Sequence, residues 1–215
     1  MQNEQKIISL SLTTEKSIEE AVANTASALR DGGVVLTPTD TVYGLICLPG
    51  SAYAINTVFA MKQRPSNWRL PVIVADLEQA ENELPFIWNS AGRSLANAFW
   101  PGALTIACGI QENETDWLAG RDEAAVRAPD YLFIQTLARM LGPLLMTSAN
   151  RHGNETPHTM EGALTALAVP PALAIDGGLL SGDPSTLVNV NLPVPVIERA
   201  GAIPSAEIER VLYGS

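Results

Sequence analysis

The stretch GGVVLTPTDTVYGL, residues 32–45, opens on two glycines, runs through three apolar residues, and sets three threonines, an aspartate and a tyrosine ahead of a third glycine. In an extended chain successive side chains point to opposite faces, so Thr37, Thr39, Thr41 and Tyr43 would share one side while Leu36, Pro38, Asp40 and Val42 take the other. The spacing predicts a strand carrying a row of hydroxyls. Two readings fit it. Branched threonines suit strands on packing grounds, with Pro38 marking an edge or the strand's end; alternatively, the hydroxyls line a ligand site. Upstream, Ser17 and Glu20 have capping-box spacing, and Ile18, Ala21, Val22, Thr25, Ala26 and Leu29 mark one helical face that Gly32 and Gly33 end.

A helix feeding a strand sets the pattern for the rest of the chain. Ile55, Val58 and Phe59 define a short helix that delivers Lys62 near its C-terminal end, ahead of Pro65. RLPVIVA is the next strand, NSAGRSLANAF a helix stopped by WPG, ALTIACGI a strand, QENETDWLAGRDE a polar surface loop, and AAVRA extended again. Residues 131–141 have helical spacing at Leu132, Ile134, Leu137 and Met140, and Gly142 and Pro143 lead into the strand LLMT, which runs straight into SAN. A helix over 160–167, the strands LAID, STLVNV and PVIERA, and a last helix over 205–212 complete the pattern. Helices and strands interleave, yet the late strands crowd together. The expectation is one α/β domain over 17–212 with a mixed, twisted sheet and flanking helices, after an N-terminal segment 1–16 and with no second domain.

Composition narrows the function. Of 215 residues 47% are hydrophobic, enough for a substantial core, and 13 basic against 23 acidic residues give a formal charge of −10. That charge disfavours broad attraction to nucleic acid or anionic lipid, so an anionic ligand needs a local cationic pocket. Cys47 and Cys108 lie in apolar settings without a CxxC, which predicts buried thiols and a reducing compartment. The N-terminus lacks a basic start and a long apolar core, and no run approaches a membrane span, both pointing to the cytoplasm.

Familiar catalytic motifs are missing. The sequence has no GxxxxGK[ST], no GxGxxG after a strand, no HExxH, no zinc-spaced Cys/His cluster and no GxSxG elbow. His152 and His158 share one polar loop and read as solvated. What remains is polar residues where apolar segments end. Lys62 and Arg64 in KQRP would clamp a polyphosphate, or cap a helix C-terminus as cations commonly do. Arg127 sits in an apolar strand and calls for a carboxylate, from a ligand or from Asp130 or Asp40. Ser148 and Asn150 in TSAN suit phosphate or ribose oxygens, or a turn. Ser185 and Thr186 in GDPST and Arg199 in ERAG are of the same style.

Taken in order, GGVVLTPTDTVYGL, FAMKQRP, FWPGALT, VRAPD, TSANRHGNETP, DGG with GDPSTLVNV, and IERAGAI resemble the YrdC-type threonylcarbamoyl-adenylate synthase family, from about residue 17 to 211. The resemblance implies a YrdC-like fold with a central cleft and a nucleotidyltransferase acting in tRNA modification. Its substrates would be L-threonine, bicarbonate or CO2, and ATP, with Mg²⁺ on the phosphates. Its product, threonylcarbamoyl-AMP, would pass to a tRNA threonylcarbamoyl-transferase protein, with no direct tRNA binding of consequence and no membrane. By position, Thr41, Arg127 and Ser185 would face threonine, and Lys62, Arg64, Ser148, Asn150, Thr156 and Arg199 would surround ATP, with Lys62 and Arg64 catalytic.

The sequence departs from the family pattern after the KxR motif, where Trp68 and Arg69 replace the usual lysine and proline; Asn67, Trp68 and Arg69 are therefore given no ligand role. GLICLPG also lacks the second glycine usual after YGL, and the extra C-terminal domain of longer relatives is not expected. Two rivals are a lapsed paralogue that binds nucleotide or RNA without synthesis, and a carbamoyl-transfer enzyme. The retained Lys62, Arg64, Ser148 and Asn150 and the chain's length speak against them.

Overall fold

The computed structural model describes residues 7–9, 15–65, 69–111, 116–118 and 120–214. In chain order the elements are β1 (Ile7–Ser9), α1 (Glu15–Arg30), β2 (Val35–Thr37), β3 (Gly44–Cys47), α2 (Ala52–Lys62), β4 (Val72–Ile73) and α3 (Leu77–Glu83). There follow β5 (Phe86–Ile87), α4 (Ser90–Phe99), β6 (Leu104–Ile110), β7 (Glu123–Arg127), α5 (Leu132–Leu141) and β8 (Leu144–Ser148). The chain ends in α6 (Met160–Ala166), β9 (Leu173–Asp176), β10 (Thr186–Asn189), β11 (Val196–Arg199) and α7 (Ser205–Tyr213). It divides into two compact units, each of two stretches: Met1–Leu70 with Leu144–Ser181, and Pro71–Pro143 with Gly182–Ser215.

In the first unit the strands lie in the order β1-β9-β2-β3-β8. β9 runs parallel to β1 and β2, while β3 is antiparallel to β2 and β8, so the mixed sheet expected from the crowded strands is present. The apolar face predicted for α1 is buried through Ala21, Val22, Ala26 and Leu29. The helix itself starts at Glu15, which puts Ser17 inside it rather than at its cap. Glu15 and Lys16 are good helix formers, and the helix begins three residues ahead of Ile18.

The hydroxyl-bearing stretch is not one strand. β2 stops at Thr37 and β3 returns antiparallel from Gly44, pairing Thr37 with Gly44. Between them Thr39 Oγ1 accepts from the main-chain N–H of Thr41 and of Val42, both at 3.1 Å, and donates to the Val42 carbonyl at 2.7 Å. A hydroxyl that satisfies nearby main-chain groups offers the chain an alternative to the strand ladder, and Pro38 has no N–H to give that ladder. The four residues of the row are nonetheless buried: Thr37, Thr39, Thr41 and Tyr43 are all at most 3% exposed.

In the second unit the order is β4-β7-β6-β10-β11, with β5 on β6. β4 is parallel to β7 and β10 to β6; β6 is antiparallel to β7 and β5, and β11 to β10. α4 and α7 pack together, burying Leu95, Ala96 and Ile208. α3, which sequence reading left unassigned, is short and polar; Asp76 caps it by accepting from Gln79 N at 2.9 Å. Cys47 and Cys108 are both buried, and burial pushes each thiol up to about 12. No helix among the described residues is long and apolar enough to cross a membrane. Asn67, Trp68 and, within the polar loop QENETDWLAGRDE, residues 112–115 and 119 lie outside the described residues.

Candidate active site

In the first unit the predicted cation sits where a helix ends and a loop returns. α2 finishes in Gln63, whose left-handed φ of 50° and N–H to the Ala60 carbonyl, with Arg64 N to the Phe59 carbonyl at 3.0 Å, satisfy the helix end from its own main chain. The Lys62 side chain is thus not needed as a cap. Its Nζ leaves the helix and donates to the Ser148 carbonyl, to the Asn150 carbonyl at 2.8 Å and to Asn150 Oδ1 at 2.9 Å. Ser148 Oγ donates to the same Oδ1 at 2.6 Å, Asn150 Nδ2 donates to the carbonyls of Arg151 and Asn154, and His152 N donates to the Lys62 carbonyl at 2.9 Å. The KxR and SxN motifs, 86 residues apart, are one hydrogen-bonded structure.

Lys62 is 2% exposed. Burial, with Arg64 beside it, holds its amine at about 7 instead of the ordinary 10.5. Its acceptors among the described residues are neutral oxygens; none is a carboxylate. Burial also lowers Arg64, which is half-buried. Thr41 Oγ1 lies 3.0 Å from Thr39 Oγ1, and Thr156 is half-buried in the loop ahead of α6. Tyr43, which sequence reading placed on the hydroxyl face and gave no role, is fully buried. Its OH donates to the Gly178 carbonyl at 2.8 Å and accepts from Gly177 N at 3.0 Å, tying YGL to DGG. A buried tyrosine needs a partner for its OH, and the distant glycine pair was the only signal of one.

In the second unit Arg127 closes β7 at 7% exposure and donates from Nε to the Gly102 carbonyl at 2.9 Å. Arg199 closes β11 and forks over Ser185: Nε and Nη2 donate to its carbonyl at 3.1 and 2.9 Å, and Nη2 to its Oγ at 3.0 Å. Partial desolvation lowers the Arg199 guanidinium, and no carboxylate pairs with it among the described residues. Ser185 Oγ is also 2.8 Å from Thr105 Oγ1 on the neighbouring β6. The close approach depends on Gly201, where a Cβ would lie 2.2 Å from the Pro184 carbonyl oxygen. The structure joins Lys62 to Ser148 and Asn150, and Ser185 to Arg199; Thr41, Arg64 and Thr156 belong to the first unit, Arg127 to the second.

Chemically, both arrangements present positive charge among neutral oxygens, which suits an anionic ligand. A family model described as "Telomere recombination", Sua5/YciO/YrdC, matches residues 27–201. The threonylcarbamoyl-AMP synthase of Bacillus subtilis is 34% identical over 195 residues, covering 89% of this chain and 56% of that protein. The crystal structure of P. abyssi Sua5 complexed with L-threonine superposes with a TM-score of 0.84 at 30% identity, over 96% of this chain and 61% of that one. E. coli YciO does so at 0.77 and 27%, over 94% and 97%. The chain therefore spans little more than half of the first two relatives and nearly all of the third, and with its motifs in order it belongs to the Sua5/YciO/YrdC family.

Proposed function

We propose that this chain is a nucleotidyltransferase that joins L-threonine, bicarbonate or CO2, and ATP into threonylcarbamoyl-AMP, releasing pyrophosphate. The observation that carries the reading is Lys62, a buried amine held by oxygens of Ser148 and Asn150 with no carboxylate among its partners in the described residues. Buried cations are ordinarily paired. An ATP phosphate is the missing anion. The name of the B. subtilis relative and the threonine bound to P. abyssi Sua5 support the same assignment.

Threonine's amine attacks CO2 to give a carbamate and release a proton; a carbamate oxygen then attacks the α-phosphorus as the bond to pyrophosphate breaks. Two anions must meet, so the requirement is concentrated positive charge rather than a protein nucleophile. Lys62, Arg64 and Arg199 would offset the repulsion and the charge developing on pyrophosphate, with Ser148, Asn150 and Thr156 holding the nucleotide. Arg127 would grip threonine's carboxylate as a charged fork, with Thr41 and Ser185 on its remaining polar atoms. Mg²⁺ would enter as a companion of ATP. When bound on the phosphates it would withdraw charge from the leaving group. The product would serve a tRNA threonylcarbamoyl-transferase protein in the cytoplasm.

Purified protein given ATP, bicarbonate and Mg²⁺ should release pyrophosphate only when L-threonine is added. Release indifferent to threonine defeats the substrate assignment, and ATP binding without any release leaves the lapsed-paralogue reading.

A further inference from the structure

Thr105 takes no part in the roles assigned so far, yet the residue is buried, at 5% exposure, and its hydroxyl lies 2.8 Å from Ser185 Oγ. The parallel pairing of β6 with β10 sets this contact: Thr186 N donates to the Ala103 carbonyl at 3.0 Å, and the registers Thr186–Leu104 and Leu187–Thr105 place Ser185, the residue just ahead of β10, beside Thr105. A hydroxyl carries one proton and two lone pairs. Arg199 Nη2, which can only donate, occupies one lone pair of Ser185 Oγ. The proton of the Thr105–Ser185 contact could come from either side, and the two residues are similarly buried, at 5% and 6% exposure, so either direction leaves one hydroxyl proton without an acceptor among the described residues. Were Ser185 the donor, that proton would be Thr105's, which the proposed function turns toward no ligand atom. Were Thr105 the donor, both lone pairs of Ser185 are filled. Ser185's proton is then the one left to give away.

We propose that Thr105 is a positioning residue: together with Arg199 it fills the acceptor side of Ser185 Oγ and commits the Ser185 hydroxyl to donate to an oxygen of the bound amino acid. The inference rests on the proposed function, in which Ser185 faces threonine, and adds to it a direction for the hydrogen bond. Without Thr105's proton, Ser185 is free to turn and accept. A ligand oxygen then meets a lone pair instead of a donor.

The test is threonine-dependent pyrophosphate release by Thr105→Val and Thr105→Ser at saturating ATP. Val keeps the shape and removes the donor; Ser keeps the donor. The expected result for Val is a threonine KM raised about tenfold, the size of one lost hydrogen bond, with kcat within about threefold and the ATP KM unchanged. Ser should restore the wild-type KM. A threonine KM unmoved in Thr105→Val overturns the inference alone, whereas a wild type indifferent to threonine overturns it together with the proposed function. Should the Val variant fail to fold, Thr105→Ala carries the same KM comparison. A purely structural threonine would lower the melting temperature and leave the KM in place. As an independent check, Thr105→Val in a Ser185→Ala background should add no further loss, since its route of action is already gone; a second tenfold loss would refute action through Ser185.

Discussion

Lys62 and Arg199 solve one problem in two ways. Each is a cation held without a carboxylate partner among the described residues, Lys62 by three oxygens of a returning loop and Arg199 by a fork over a single residue. The lysine is 2% exposed and burial brings its amine to about 7; the arginine closes an exposed strand and, with its far higher basicity, stays charged. So the first unit carries a cation whose charge can respond to what binds, and the second carries a fixed one. The difference lies in how the residues are delivered. A helix end lets a long flexible amine reach into a loop, while a strand end aims a planar guanidinium at the carbonyl just ahead of the neighbouring strand.

The harshest way to break the comparison is to delete each cation. Lys62→Ala should cut threonine-dependent pyrophosphate release by about 10²-fold or more, in the range of losing one preorganised donor to developing charge. Arg199→Ala should cost about tenfold less, because three of the guanidinium's hydrogen bonds are spent on Ser185. Equal losses in steady-state assays would abolish the distinction. A gentler change sharpens it: Asn150→Asp replaces a neutral acceptor of Lys62 with a carboxylate, which would pair with the amine and repel phosphate. The ATP KM should rise about tenfold while the threonine KM stays put. An unchanged ATP KM would mean that the neutrality of the Lys62 acceptors is incidental.

What was legible in the sequence, and what was not, follows from the range of the interactions. α4, α5 and α6 were read within a residue or two, because each has a one-sided apolar period and a Gly, Pro or polar stop, and β6 and β10 as short apolar runs. The turn at 38–43 was read as strand because period-2 alternation survives in the burial of Thr39, Thr41 and Tyr43 even where the ladder does not. Only the Thr39 hydroxyl's local bonds distinguish the two, and those depend on main-chain geometry. α3 was missed because a short, polar helix buries only Gln79 and Ala80. At the site, Lys62 and Asn150 were both named, but their bond spans 88 residues and has no local signature. Thr105 was invisible for the same reason: in ALTIACGI it is simply a strand threonine, and its partner is 80 residues away.

The smallest expected effect bears directly on the responsive charge of Lys62. At pH 8 an amine held at about 7 is about nine-tenths neutral in the free protein. A bound triphosphate favours the ammonium, so ATP binding at pH 8 should draw in up to about 0.9 proton, and Arg199, charged throughout, should contribute none. Calorimetry in buffers of different ionisation heats reads this number; Lys62→Met should bring it near zero. The same shift fixes a stability trend. The unfolded chain carries the Lys62 proton up to about 10.5 and the folded one only to about 7, so between those values the unfolded state binds more protons and the free protein should become more stable as pH rises. Saturating ATP should flatten that rise, since the bound anion returns the folded amine toward its ordinary value. If melting temperatures of the free protein fall across this window, or if ATP binding takes up no proton at pH 8, Lys62 is as fixed a charge as Arg199 and the contrast between the two units disappears.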